Sequence, residues 1–333
     1  MSMFFSDLSI QQQHQTDVLT TVLRRGLPTS QGSVQKETDG QRKLTIIGQA
    51  LTPYQVSQTL AALEDIFVPS QLALHPFHNK YGDSVVMCFG DMQSSDKAHI
   101  ANTLEQVSTR FHVDIGFTDA TPSLNQAGLL VMDMDSTVIA IECIDEIAKL
   151  AGVGDEVAAV TEKAMRGEIA FNESLHHRVA CLQGIPLDHL QQIRDAIPIM
   201  PGIQTLISVL KHHGWKIAIA SGGFTYFADH LKLRLGLDAA VSNTLVVENG
   251  VLTGEVQGEI VNADVKARTV NTLANEWGIP LSQTIAMGDG ANDLVMMAAS
   301  ALGVACHGKP VVNKKADVAL RYGGLHALLY FLA

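Results

Sequence analysis

The spacing of apolar residues changes along this chain, and the changes divide it. Residues 1–42 are rich in Gln, Ser and Thr. A short helix is predicted over 17–25, and 26–43 reads as a linker. From Leu44 the texture tightens. Leu44-Thr45-Ile46-Ile47-Gly48 alternates as a strand does, and residues 54–66 carry apolar side chains at helical spacing. Strand-like stretches follow at 71–75 and 84–89, then a helix over about 96–111 and a last strand near 112–116. The order β-α-β-β-α-β predicts a ferredoxin-like α+β domain over 43–120. Residues 118–126 link it to the remainder.

Three continuous apolar runs come next: Gly128-Leu129-Leu130-Val131-Met132, Trp215-Lys216-Ile217-Ala218-Ile219-Ala220 and Thr284-Ile285-Ala286-Met287. Such runs suit strands buried on both faces, as in a parallel sheet. They predict a Rossmann-like α/β core over 127–333, with the strand ends on one edge. Residues 141–198 are almost wholly helical in pattern and read as an inserted cap, about 142–200, with Pro201-Gly202 marking re-entry to the core. Val246-Val247-Glu248-Asn249-Gly250-Val251-Leu252 predicts a hairpin, Asn-Gly supplying a type I′ turn.

Each of the three runs ends on residues suited to chemistry. Asp133 and Asp135 follow the first, in Asp133-Met134-Asp135-Ser136-Thr137. Parallel sheets bind ligands just past their carboxyl ends. Two carboxylates delivered there need positive charge, because like charges at close range cannot both ionise cheaply. A hard cation such as Mg²⁺ supplies it. An Asp also serves as a nucleophile for phosphorus while a second carboxylate moves the proton. The same residues suit a turn and a helix cap equally well. Ser221-Gly222-Gly223 ends the second run, where a hydroxyl and two glycines let backbone N–H groups cradle a phosphate oxygen or simply form a turn. Gly288-Asp289-Gly290-Ala291-Asn292-Asp293 ends the third. There Asp289 completes a metal site and Asp293 supports it from behind. Lys266, near a helix start, is on its own an ordinary surface lysine.

Taken in order, these segments resemble the four motifs of the haloacid dehalogenase superfamily of phosphotransferases. The resemblance extends to phosphoserine phosphatases through Glu142-Cys143-Ile144-Asp145-Glu146-Ile147-Ala148 and through the stretch from Met165-Arg166-Gly167-Glu168 to His176-His177-Arg178-Val179. It runs from about Leu129 to the C-terminus. The domain at 43–120 is similar to the ACT-type domains ahead of the catalytic part in longer bacterial members. The resemblance implies Mg²⁺-dependent hydrolysis of phosphoserine to serine and phosphate, the last step of serine biosynthesis. Asp133 is then the nucleophile and Asp135 the proton donor and acceptor, its pKa raised by Asp133. Asp133, Asp135 (through its backbone carbonyl) and Asp289 hold the metal. Ser221, Gly222, Lys266 and Asn292 hold the phosphoryl group. Arg178 takes the substrate carboxylate and Glu142 its ammonium, while Met165 and Phe171 form an apolar wall. His176 and His177 are expected at the surface. Two alternatives share these motifs: a phosphotransferase using phosphoserine, and an amino-acid-responsive regulator with a vestigial core.

Length and charge narrow the partners. At 333 residues with 47% apolar content, the chain builds two domains and a buried core. A net charge of −11 without a basic block argues against nucleic acid or an anionic membrane as partner, and leaves a small-molecule substrate. A homodimer stays open. No apolar run is long enough to span a membrane, and the N-terminus lacks the pattern of a signal peptide. Cys88, Cys143, Cys181 and Cys306 have no metal or redox spacing, which fits a reducing cytoplasm.

Overall fold

The computed structural model describes residues 42–119 and 122–332, which form two compact units. The helix expected at 17–25 and most of the linker after it lie outside the described residues.

The first unit begins with β1 (Arg42–Gly48), α1 (Pro53–Ala61), β2 (Phe67–Leu74), β3 (Ser84–Met92), α2 (Lys97–Phe111) and β4 (Asp114–Thr118). Its strands form an antiparallel sheet in the order β2-β3-β1-β4, the ferredoxin-like arrangement that the pattern predicts. Thr52 starts α1 by accepting the Gln55 N–H at 3.1 Å, with Pro53 at the first helical position, where its missing N–H costs nothing. α1 stops at Ala61, short of the expected 66. The last apolar residues of that run, Leu63 and Ile66, are buried by successive turns instead. Leu44 and Ile46 pack with Val56, Leu60 and Val107 of the two helices. Thr45 and Ile47 on the opposite face of β1 are also buried.

The second unit runs β5 (Leu129–Met132), α3 (Cys143–Ala151), α4 (Gly154–Met165), α5 (Phe171–Ala180), α6 (Leu187–Asp195), α7 (Ile203–His212), β6 (Lys216–Phe224), α8 (Thr225–Leu235), β7 (Ala239–Glu248), β8 (Val251–Gln257), α9 (Ala263–Glu276), β9 (Thr284–Gly288) and α10 (Leu294–Ala298). β5 pairs in parallel with β6 on one side and β9 on the other, and β7 follows β6 in parallel. Every residue of β5 is buried, as a central parallel strand requires. β7 and β8 form the expected hairpin, with Asn249 at φ 51° and Gly250 at φ 81°, the positive pair a type I′ turn needs. Helices α3 to α6 are the predicted insertion.

The chain then returns to the first unit. β10 (Leu302–Cys306) leads to α11 (Pro310–Lys315) and β11 (Val318–Leu320), which pairs in parallel with β10. Residues 304–333 group with the first unit, whereas the apolar pattern assigns 127–333 to one catalytic domain. Polar ties explain the grouping. Asp114 accepts the backbone N–H groups of Arg321, Tyr322 and Gly323 at 2.7, 3.1 and 2.8 Å. Asp83 binds the His326 ring at 2.7 Å and the Tyr330 hydroxyl at 3.0 Å, and Arg321 pairs with Glu105. Gly116 lies against Val318 and Phe331, so the tail covers the second face of the sheet, and β1 and β3 lose the alternation of a half-exposed strand.

Candidate active site

Strand register brings the polar ends together. Met132 is level with Ile219 of β6 and Met287 of β9, so the next residues of all three strands emerge on one edge. The ladder runs one step further, the Asp133 N–H donating to the Met287 carbonyl at 2.9 Å. The Asp133 carboxylate therefore stands on a fixed backbone, and one of its oxygens accepts the Met134 N–H at 2.7 Å. The Met134 carbonyl collects the N–H groups of Thr137, Val138 and Ile139, turning the chain sharply away. Thr137 donates its hydroxyl to Asp289 at 3.1 Å, joining the first segment to the last.

β6 does not end at Ala220. It stays in the sheet to Phe224, with four residue steps from Ala220 set against two on β7, from Val241 to Asn243. The surplus bulges Ser221-Gly222-Gly223 toward Asp133. A Cβ on Gly223 would lie 2.5 Å from the Met134 Cε and force that buried side chain to shift. The Ser221 hydroxyl accepts the Gly223 N–H at 3.0 Å. Asn243, buried on β7, braces the bulge. Its amide donates to the Gly222 carbonyl and accepts the Val261 N–H, both at 2.8 Å.

Asn262 caps α9 by accepting the N–H groups of Asp264 and Val265. The cap sets Lys266 on the first turn, pointing inward and only 1% exposed. Its ammonium lies 2.6 Å from Asp133 and 2.8 Å from Asp293. Burial works against that charge, but the two carboxylates outweigh it and hold the lysine firmly protonated. Burial and Asp133 push the Asp293 carboxyl up, against the pull of Lys266.

Asp133, Asp289 and Asp293 each place a carboxylate oxygen within 4.8 Å of the others. Burial, then Asp133, raises Asp289. Asp135 is raised well above the ordinary carboxylate range, by burial first, then by Glu142 and Asp133, and one of its oxygens is buried without a hydrogen-bond partner. A crowd of hard oxygen donors with a single lysine among them suits a divalent cation.

The cap closes the site. Arg178 on α5, Glu142 at the start of α3, Phe171, Ile144 and Leu175 line a cavity of about 230 Å³ with Asp133, Asp135, Ser221, Lys266 and Asp289. Burial works against the Arg178 charge while Asp145, Glu142 and Asp135 support it, and its Nε is buried with no hydrogen-bond partner. Phe171 lies near Gly222, where an added Cβ would come within 3.1 Å of its ring.

Comparison with known proteins agrees with this geometry. Residues 128–301 match the model of the haloacid dehalogenase-like hydrolases. The chain belongs to that family. It is 56% identical to a phosphoserine phosphatase of Haemophilus influenzae over 221 residues, 66% of this chain and 70% of that protein. The unliganded crystal structure of a probable phosphoserine phosphatase from Vibrio cholerae superposes with TM-score 0.73 at 41% identity, over 94% of this chain and 92% of that one. A solved phospho-aspartyl intermediate analogue of phosphoserine phosphatase matches at TM-score 0.59 and 37% identity, over 62% of this chain and all of that one.

Gly222 and Asn292 also line the cavity, and His176 and His177 are exposed on the cap. Asp293 is fully buried, meets Asp133 through Lys266 and accepts the Gly290 N–H, while the direct partner of Asp289 is Thr137. One expectation changes. Asp135 is raised chiefly by burial rather than by Asp133, because the cap covers it. Met165 ends α4, and its side chain lies outside the described residues. Asn243 and Thr137 are the residues that sequence reasoning missed. Thr137 belongs to the first motif, so its place was a signal; Asn243 sits in an ordinary strand and offered none.

Proposed function

We infer that this chain hydrolyses O-phospho-L-serine to L-serine and phosphate through an aspartyl-phosphate. The observation that carries the substrate is Arg178: its side chain lines the cavity that holds the nucleophile, and its Nε is buried without a hydrogen-bond partner. A buried unpaired donor costs free energy until a ligand satisfies it, and a carboxylate suits a guanidinium fork best.

Asp133 attacks phosphorus in line, and the bond to the serine oxygen breaks. Asp135, kept protonated by its buried setting, gives its proton to that oxygen. It then takes a proton from the water that cleaves the acyl-phosphate. Lys266, Ser221 and the Gly222 N–H hold phosphoryl oxygens and neutralise developing charge, which is most of what phosphoryl transfer asks of a protein. Asn292 reaches the same group from the cavity rim. Asp133, the Asp135 carbonyl and Asp289 are the groups to hold Mg²⁺, which when bound adds positive charge beside the phosphoryl oxygens. Arg178 receives the α-carboxylate and Glu142 the α-ammonium. Phe171 of the cap shuts out water. The scattered free cysteines fit a reducing cytoplasm as the place of reaction.

Phosphate release across a panel of phosphomonoesters with Mg²⁺, with and without acceptor alcohols, tests the reading. Phosphoserine is expected to lead the panel, with phosphate yield independent of acceptor. Equal rates on esters lacking the amino-acid end would overturn the substrate. Phosphate lost to acceptors would make the chain a transferase.

A further inference from the structure

Glu142 stands at the N-cap of α3, yet its side chain makes no hydrogen bond to the free N–H groups of that helix. The carboxylate is turned to Ser136 instead, whose hydroxyl donates to Glu142 Oε1 at 2.7 Å. Ser136 is one of the few non-glycine residues with positive φ, 57°. That conformation is uncommon for an L side chain and persists where surrounding structure requires it. Here the requirement is visible. The Ser136 N–H closes the same loop by donating to the Ile141 carbonyl at 3.2 Å, so both polar groups of this residue bridge to the segment that begins the cap. On either side, Asp135 faces the cavity and Thr137 holds Asp289.

We propose that Ser136 is a positioning residue for amino-group recognition: its hydroxyl fixes one oxygen of Glu142 and leaves the other to receive the ammonium of the substrate. The left-handed turn carries the hydroxyl across the loop to Glu142. Ser136 thereby ties the amino-group contact of the cap to the strand end carrying Asp133 and Asp135. A substrate whose ammonium meets a held carboxylate loses less freedom on binding than one that must first order it. The proposal rests on the reading of Glu142 as the ammonium partner.

The test compares kcat/KM for phosphoserine with that for 3-phosphooxypropanoate, which keeps the phosphate and carboxylate and lacks the amino group. The variants are Ser136→Gly, Ser136→Ala, Glu142→Gln and the double variant Ser136→Gly with Glu142→Gln. Glycine accepts the positive φ while removing the whole CH₂OH group, so the loop keeps its course, and alanine removes the hydroxyl alone. Ser136→Gly is expected to lower the ratio of the two substrates roughly tenfold, mainly through KM for phosphoserine, with Ser136→Ala doing the same. Adding Ser136→Gly to Glu142→Gln is expected to lower the ratio no further, because the serine acts through the glutamate. If Ser136→Gly leaves the ratio unchanged while Glu142→Gln lowers it, the positioning role is wrong and the ammonium reading stands. An equal loss on both substrates, or an additive double variant, overturns the role as well. If Glu142→Gln itself leaves the ratio unchanged, the ammonium reading fails and the proposal goes with it.

Discussion

Buried aspartates occur in both units, and their surroundings are opposite. In the first, Asp114 is met donor by donor: three backbone N–H groups of the returning tail turn toward it. Asp83 beside it is held by His326 and Tyr330. In the second, Asp133, Asp289 and Asp293 crowd together, Lys266 serves two of them, and Asp135 keeps an oxygen with no partner. One set closes a fold. The other leaves an electrostatic imbalance that only a ligand relieves, a mark of functional carboxylates. Counting acids does not separate the two; counting their donors does.

The largest effect should come from the crowded set. Asp133→Asn is expected to bring phosphate release to background and abolish any phosphoenzyme, since an amide is neither nucleophile nor anionic donor. Asp135→Asn should still take up Mg²⁺ through its backbone but fail in proton transfer. Acid-quenched phosphoenzyme and steady-state phosphate release check both. Normal turnover in either variant would erase the contrast with the first unit.

Arg178→Ala comes next. A charge-assisted bond contributes about 1.5–3 kcal/mol, so loss of the guanidinium should weaken kcat/KM for phosphoserine by roughly ten- to a hundredfold. An aryl phosphate has no carboxylate for Arg178 to bind and should scarcely change. An equal loss on both substrates would make Arg178 a packing residue of the cap.

Legibility in the sequence followed the same divide. The strands ending at Asp133, Ser221 and Asp289 could be read because continuous apolar runs and glycine-bearing turns are local signals, and their parallel pairing is what such runs require. The Asn243 brace could not be read. It depends on a register shift between β6 and β7 that no local pattern encodes. The polar ties of the tail could not be read for a related reason. Val318, Leu325, Leu328 and Phe331 are buried residues whose apolar character announces a core without naming its partners. The contacts with Asp83 and Asp114, more than 200 positions away, come from the fold alone.

Asp114→Ala should therefore act on stability rather than on chemistry. Removing the carboxylate leaves the backbone N–H groups of Arg321, Tyr322 and Gly323 without their acceptor, at a cost of about 1–3 kcal/mol for each that water does not reach. Urea unfolding should show the midpoint fall, while kcat for phosphoserine at low temperature stays as in the parent. A changed kcat with unchanged stability would mean that the tail serves the reaction directly.

The smallest effect is the pH dependence of that same tie, and its sign is informative. Burial raises the Asp114 carboxyl despite the opposing pull of the N–H donors and Arg321. The folded chain then holds this proton more tightly than the unfolded chain, whose carboxyl titrates near 3.9. The stability from Asp114 is thus greatest below that value and declines as pH rises through it to the raised folded value. Asp114→Asn removes the titration and leaves the other acids as they were. The margin by which the parent exceeds this variant in urea midpoint should be widest in acid and narrow toward neutrality. A margin that widens with pH would mean that the donors outweigh burial, so that Asp114 is charged at no cost. The contrast with the crowded carboxylates would then be sharper still.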